Sequence, residues 1–368
     1  MLQKRPVSVL IAPLDWGLGH ATRCIPIIRE FVRQGARVSI ASSGAQRILL
    51  EKEFRDLEFF DLPGYEIHYR KGPFLKWGLL FKMPVILRRI RIEKRWLEDF
   101  LKTHQIDLLV SDNRYGLNHQ GLRTVFITHQ LSIRTGLGSF FDKLLLRWNY
   151  RLIQQFSVCW VPDWLGSPSL AGELSHPQRK PRLPTQYIGI LSRIKPVPAK
   201  ITINPLLILL SGPEPQRSQL ENIIFSQLAG LTISCIVLRG LPDSSRPAPY
   251  IRDGVQVFNH LASAELNQWL RSSDIILTRS GYSSIMDMVQ LRKNAILVPT
   301  PGQTEQEYLG KHLHELKWMF TVPQRKFNLV KAIKEYKEAA LTIPELPQPV
   351  LDKVVGELLT DLENKRQF

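Results

Sequence analysis

The chain has 368 residues, 44% of them apolar and 22% charged, which excludes disorder and a fibrous repeat and gives length for two domains. Three cysteines, Cys24, Cys159 and Cys235, lie far apart without a CxxC pair, so neither a disulfide framework nor a cysteine zinc site is signalled. The formal charge of +16 is uneven: residues 1–195 hold 30 Lys and Arg against 16 Asp and Glu, while residues 196–368 hold 19 against 17.

From the N-terminus, Val7–Ala12 reads as a strand, followed by the turn Gly17-Leu18-Gly19-His20. A helix then carries Ile25, Ile28 and Val32 on one apolar face and stops at Gly35. Arg37–Ala41 is the next strand, and strand–turn–helix–strand in that order implies a parallel sheet with right-handed crossovers. Further strands are predicted at Leu57–Phe60, Ile106–Val110, Thr124–Thr128, Val158–Val161 and Gln186–Ile190. Residues 192–205 carry prolines and no apolar periodicity, as a linker does. A second alternating series follows, with strands at Leu206–Leu210, Ile233–Leu238, Val255–Phe258, Asp274–Thr278 and Ala295–Val298. Its helices are Gln219–Gln227, Ser263–Ser272 and Ser283–Gln290. The pattern predicts two doubly wound, Rossmann-like α/β domains facing a cleft: 1–192, 204–330, and a helical segment 331–368 broken by prolines at 344–349. No apolar run is long enough to span a bilayer. Lys4 and Arg5 precede a run that meets Pro13 and Asp15 instead of a cleavage site, so a cytoplasmic protein is expected.

Two turns concentrate chemistry. Gly17-Leu18-Gly19-His20-Ala21-Thr22 lets a ligand approach the backbone at a helix start, yet Thr22 stands where a dinucleotide fingerprint needs glycine. A tight βα turn explains the glycines equally well; His20 adds a group able to act as base near neutral pH. In the second half, a buried strand runs into Thr278-Arg279-Ser280-Gly281-Tyr282-Ser283 and a helix begins at once, with amides free to hold a diphosphate. Asp287 lies one to two turns inside that helix, placed for a ribose diol. The stretch from Pro299 to Tyr308 reads as a polar loop at the same sheet edge, with Gln303, Gln306 and Glu307 suited to sugar hydroxyls. Taken singly, Asp287 also suits a solvated helix, and Gln306 and Glu307 a helix start.

Arg279-Ser280-Gly281, the acid six positions on, and the Pro299…Gln306-Glu307 stretch resemble the donor-binding signature of family 28 glycosyltransferases, which have the GT-B fold. Gly17-Leu18-Gly19-His20 is similar to that family's N-terminal glycine loop, and Thr128-His129-Gln130 to its His-Glu-Gln turn. The resemblance implies that Asp287 binds the ribose, the Ser280–Ser283 amides face the diphosphate, and Phe258 borders the uracil through its backbone. It also implies that Gln303, Gln306 and Glu307 read the donor sugar, and that His20 faces an acceptor hydroxyl beside Gly17, Gly19, Thr22 and His129. The family's second phosphate loop corresponds to Ser211-Gly212-Pro213-Glu214-Pro215, which keeps one glycine; Ser211, Gly212 or Arg217 would supply its contacts. The expectation is a metal-independent, inverting hexosyl transfer from a UDP-linked sugar, which serves as co-substrate, with no cofactor. His20 would be the base, oriented by Asp112, for which turn capping is the other reading. A nucleotide-sugar epimerase and a non-catalytic nucleotide-sugar-binding protein are the alternatives.

Residues 70–95 hold nine basic residues and one acid, Glu93, interleaved with Phe74, Trp77, Phe81, Ile86 and Trp96 alongside; residues 140–148 have similar character. Such segments suit an anionic lipid surface or a lipid-linked acceptor, placing the protein peripherally on the inner face of the cell membrane. A core helix with a solvated basic face is the competing reading. Nucleic acid is not expected, because no recognition module accompanies the charge.

Overall fold

A computed structural model describes residues 5–64, 78–133, 138–194, 204–242, 244 and 247–366. The chain divides into two compact units; the described residues up to Leu191, together with those from Leu346 on, form the first, and those from Ser192 to Glu345 the second.

The first unit is built on seven parallel strands: β1 (Ser8–Pro13), β2 (Arg37–Ser42), β3 (Glu58–Asp61), β4 (Leu108–Asp112), β5 (Arg123–Ile127), β6 (Val158–Val161) and β7 (Thr185–Tyr187). They run in the order β3-β2-β1-β4-β5-β6-β7. Strands β1 and β4 are buried along their whole length, which is why they read as continuous apolar runs without alternation. Helices α1 (Leu18–Arg33), α2 (Gly44–Glu53), α3 (Gly78–Thr103) and α4 (Ser139–Ile153) make the crossovers. Helix α1 buries Cys24, Ile25, Ile28 and Phe31 and is followed by Gly35 at φ +83; Val32, expected on that face, is exposed. Helix α3 buries Ile86, Ile90, Glu93, Leu97 and Phe100, a 3–4 spacing that turns one stripe inward and leaves Arg88, Arg91 and Arg95 outside.

The second unit has six parallel strands: β8 (Asn204–Leu209), β9 (Cys235–Leu238), β10 (Val255–Phe258), β11 (Ser273–Thr278), β12 (Ile296–Leu297) and β13 (Phe320–Thr321). Their order is β10-β9-β8-β11-β12-β13. Helices α5 (Gln216–Leu228), α6 (Ser263–Ser272), α7 (Tyr282–Gln290), α8 (Thr304–Glu315) and α9 (Leu329–Glu338) connect them. Leu206, Ile208, Val237, Ile275, Leu277 and Ile296 meet Leu220 and Ile224 in its core. Each sheet thus reverses direction beside its first strand, between β1 and β4 in one and β8 and β11 in the other. Ligands bind doubly wound sheets at those points, beyond the carboxyl ends of the strands.

Two expectations change. The segment 331–368 is not one element: α9 packs into the second core through Leu329 and Ala332, whereas the last helix, α10 (Leu351–Lys365), packs on α1, with Gln34 Nε2 donating to Asp352 O at 2.8 Å. The second unit therefore runs to Glu345, past the expected limit at 330. The stretch 299–308 is loop only as far as Gln303, because α8 begins at Thr304.

Candidate functional site

At the reversal point of the first sheet, Pro13 of β1 and Asp112 of β4 stand side by side in register. Gly17, at φ +79, turns the chain from β1 into α1, a conformation that favours glycine. Its carbonyl accepts a hydrogen bond from Gln46 Nε2 at 2.6 Å. That turn carries His20 back over the end of β4, where its Nδ1 lies 3.0 Å from Asp112 Oδ2 with 16% of the side chain exposed. Arg23, one turn further and buried, donates through Nε to Asp112 Oδ2 at 2.8 Å and through Nη2 to Asp112 Oδ1. Its Nη2 is also 2.8 Å from His20 Nδ1, and its Nη1 is 3.3 Å from Nδ1 of the buried His129.

Burial, with the Arg23 charge second, holds the His20 pKa below its ordinary 6.5 against the opposing pull of Asp112. Burial also pushes the Asp112 carboxyl up, but Arg23 and His20 overcome it and hold its pKa at about 2. At neutral pH the cluster is thus a neutral imidazole against an ionised carboxylate, suited to taking a proton at Nε2.

The structure brings His20, Asp112 and His129 into one cluster. Of the expected acceptor-side residues, Thr22 is a correction: it is buried, and its hydroxyl donates to Gly19 O at 2.9 Å, closing the first turn of α1. Arg23 was missed. Its signal was a cation three residues after His20 among apolar neighbours that had to be inside.

At the reversal point of the second sheet, Arg279 is fully buried and donates to the carbonyls of Gln216 (2.7 Å), Val298 (3.1 Å) and Pro299 (3.2 Å) and to Gln324 Oε1 (2.6 Å). Burial lowers its pKa to about 10, which still leaves it charged at neutral pH. It ties the end of β11 to the first residue of α5, to the segment after β12 and to Gln324 beyond β13, a part the motif alone did not assign. Around it, Gln216 Oε1, Thr278 Oγ1, Thr300 Oγ1 and Gln303 Oε1 are buried with no hydrogen-bond partner among the described residues. Buried polar atoms left in this state cost folding energy and mark places where a ligand or water supplies the missing bond. A Cβ on Gly212, at φ +105, would lie 3.8 Å from Thr300 Oγ1, so the Ser211-Gly212 turn faces that hydroxyl.

Several donor-side residues have partners within the protein. Arg217 makes ion pairs with Glu214 (2.6 Å) and Glu221 (2.8 Å), so its charge is already matched. The Ser280 hydroxyl donates to Gln306 O at 2.8 Å, and Gln306 Oε1 accepts from Thr300 N at 2.9 Å. Glu307 Oε1 accepts from Gly302 N at 2.8 Å, so Gln306 and Glu307 lace the 299–302 loop to α8. Phe258 ends β10, and its carbonyl accepts from Arg239 N at 2.8 Å. Gly281 precedes α7 with nothing within 4 Å of a Cβ built on it, and Ser283 is half-buried in the first turn beside the buried Tyr282. Asp287 is buried on α7, where Oδ1 accepts from Ser192 Oγ at 2.6 Å and Oδ2 lies 3.9 Å from Arg193 Nε. Burial raises its pKa, with Arg193 and Ser192 pulling the other way.

Residues 70–77 of the basic stretch lie outside the described residues. In the described parts of the two basic, apolar stretches, Val85 on α3 (46% exposed) and Phe140 (73%) and Leu144 (53%) on α4 are at the surface, as are Leu165 and Tyr250 elsewhere. No described helix is long and apolar enough to cross a membrane, and no group of three described His, Cys, Asp or Glu residues is placed to hold a metal ion.

Residues 254–348 match the family model of the glycosyltransferase family 28 C-terminal domain. Among solved structures, the glycosyltransferase of kitacinnamycin aligns at 13% identity and a TM-score of 0.65, over 98% of this chain and 94% of that one. MurG of Acinetobacter baumannii aligns at 14% and 0.56 over 97% and 100%. VinC, solved in complex with dTDP, aligns at 12% and 0.53 over 97% and 95%. No curated protein matches the chain.

Proposed function

We propose that this chain, which has the GT-B fold and matches the family 28 C-terminal domain over residues 254–348, is a glycosyltransferase that moves a hexosyl or N-acetylhexosaminyl group from a UDP-linked sugar to a hydroxyl of a lipid acceptor, with inversion. The observation that carries this reading is the His20–Asp112 pair, 3.0 Å apart at the reversal point of the first sheet. With its proton on Nδ1 toward Asp112, His20 takes the acceptor proton at Nε2 as the hydroxyl oxygen attacks the anomeric carbon. The bond from that carbon to the diphosphate breaks on the opposite face, and the electron pair leaves with the nucleoside diphosphate. Backbone amides at the start of α7 and the Thr300 hydroxyl stabilise the departing charge, a role that needs no divalent cation. Asp287 takes the ribose hydroxyls, releasing Ser192. The orphaned polar atoms around Arg279 support a donor site in the second unit, and VinC, a protein of the same fold solved in complex with dTDP, supports a nucleotide-linked donor.

A lipid acceptor and peripheral attachment to the inner face of the cell membrane are supported by the exposed Arg88, Arg91 and Arg95 with Val85, and by Phe140 and Leu144. Nucleotide release from UDP-sugars, with and without lipid acceptors, tests the reading. We expect acceptor-dependent release that survives EDTA, falls 10²–10⁴-fold in His20→Gln, and shows a raised KM for the donor in Asp287→Ala. Release without acceptor dependence, or a wild-type rate in His20→Gln, overturns it. Sedimentation with anionic against neutral vesicles tests attachment separately.

A further inference from the structure

We propose that Asn113 and Arg23 are positioning residues that set the tautomer of His20, keeping its proton on Nδ1 and its Nε2 bare; that a bare Nε2 serves a base rests on the glycosyl-transfer reading above. The hydrogens on Arg23 Nη2 are fewer than the acceptors around it. That nitrogen carries two, and the acceptors within its reach include Asp112 Oδ1, His20 Nδ1 at 2.8 Å, and the Asn113 amide oxygen at 3.0 Å. Asp112 Oδ1 takes one. If the other went to His20, Nδ1 would have to be bare and the ring proton would sit on Nε2, where no substrate proton could be accepted. Asp112 Oδ2 would then face a lone pair at 3.0 Å.

Asn113 decides between these states. Its amide is satisfied at both ends in only one orientation, with the nitrogen donating to Thr128 Oγ1 (3.0 Å) and Ile127 O (3.2 Å) and the oxygen accepting from Arg23 Nη2. The residue sits at φ 56, a left-handed conformation that asparagine tolerates, and its backbone N–H also donates to Ile127 O at 3.2 Å. With the second Arg23 hydrogen taken by Asn113, His20 Nδ1–H donates to Asp112. Also facing the cluster are His129, at 3.3 Å from Arg23 Nη1, and Cys24, whose Sγ is 3.8 Å from Asp112 Oδ2. The three residues therefore act in series: β5 fixes the Asn113 amide, the amide fixes Arg23, and Arg23 leaves Nδ1 to the carboxylate.

The test uses the full chain labelled with ¹⁵N-histidine, read by long-range ¹H–¹⁵N spectra at neutral pH, with the His20 signals identified by their loss in His20→Gln. The wild type should show the Nδ1-protonated pattern. Asn113→Gly keeps the left-handed backbone but removes the amide, and should move His20 to the Nε2-protonated pattern and lower kcat about tenfold or more, with the donor KM unchanged. Arg23→Gln on that background removes the competing donor and should restore the Nδ1-protonated pattern. Where Arg23→Gln does not fold, Asn113→Gly decides alone. A wild-type ring protonated on Nε2, or a tautomer unmoved in Asn113→Gly, overturns the proposal. A tautomer switch in a protein that transfers no sugar would uphold it and count against the transfer reading instead.

Discussion

Asp112 meets Arg23 through both oxygens and His20 at Oδ2, and both contacts favour its ionised form. Its pKa of about 2 lies below that of an unfolded aspartate, so it contributes stability above roughly pH 4 that is lost as pH falls toward 2. His20 adds to the same trend. Its folded pKa is lowered, the unfolded chain binds its proton first, and stability falls as pH drops below 6.5 toward the folded value. Urea titrations should therefore show a folded state weakening in two acid steps, the lower one absent in Asp112→Asn. That variant leaves the Arg23 charge buried without its carboxylate and should cost about 3–5 kcal/mol at neutral pH. The rate of transfer should rise with pH through the lowered His20 value, so an acid limb centred above 6.5 would contradict the assignment of His20 as base.

At the scale of elements, Gly116 and Gly281 make a contrasting pair. A Cβ on Gly116 would strike Ile90 O and come within 2.5 Å of Glu93 Cβ, and its N–H donates to Glu93 Oε2 at 2.8 Å. Gly116→Ala must push α3 from the β4 turn and should lower stability by about 1–3 kcal/mol by denaturant unfolding. Gly281→Ala meets nothing within 4 Å and should leave stability within about 0.5 kcal/mol. The same change should weaken nucleotide binding measured by calorimetry if a diphosphate sits against the start of α7. The strands were legible for a related reason: buried parallel strands such as β4 and β11 are apolar runs bounded by turn residues; Asp112 falls just where such a run ends, and His20 in the helix start that follows another. Helix α2 and strand β13 were not seen, one being mostly polar with few buried residues and the other two residues long. The uses of Gln306, Glu307 and Arg217 were hidden too, because each answers a partner supplied by folding, a loop amide or an acid, and not by neighbours in sequence. The described part of α3 shows that a basic, apolar stretch is also what a sheet-covering helix looks like, with Ile86, Ile90 and Leu97 turned inward.

At the scale of the whole molecule, the charge belongs with the first half of the sequence, which carries a surplus of 14 against 2 for the rest. Vesicle binding, where it occurs, should weaken steeply with salt, and substituting the exposed Arg88, Arg91 and Arg95 together with neutral residues should reduce it without changing nucleotide affinity. Helix α10 buries Val355, Leu358, Leu359 and Leu362 in the first unit, although the whole second unit precedes it in the chain. Deleting residues 346–368 should lower the unfolding temperature of the first unit and leave nucleotide binding by the second in place, read by calorimetric scans with and without UDP. The position of α10 also fixes an order of assembly during synthesis. Residues 192–345 are contiguous and can close their own core as they emerge, but the unit begun before them waits for α10, made after them, to cover α1. Growth from the N-terminus ordinarily lets the earlier of two domains finish first; here the unit begun earlier is completed later.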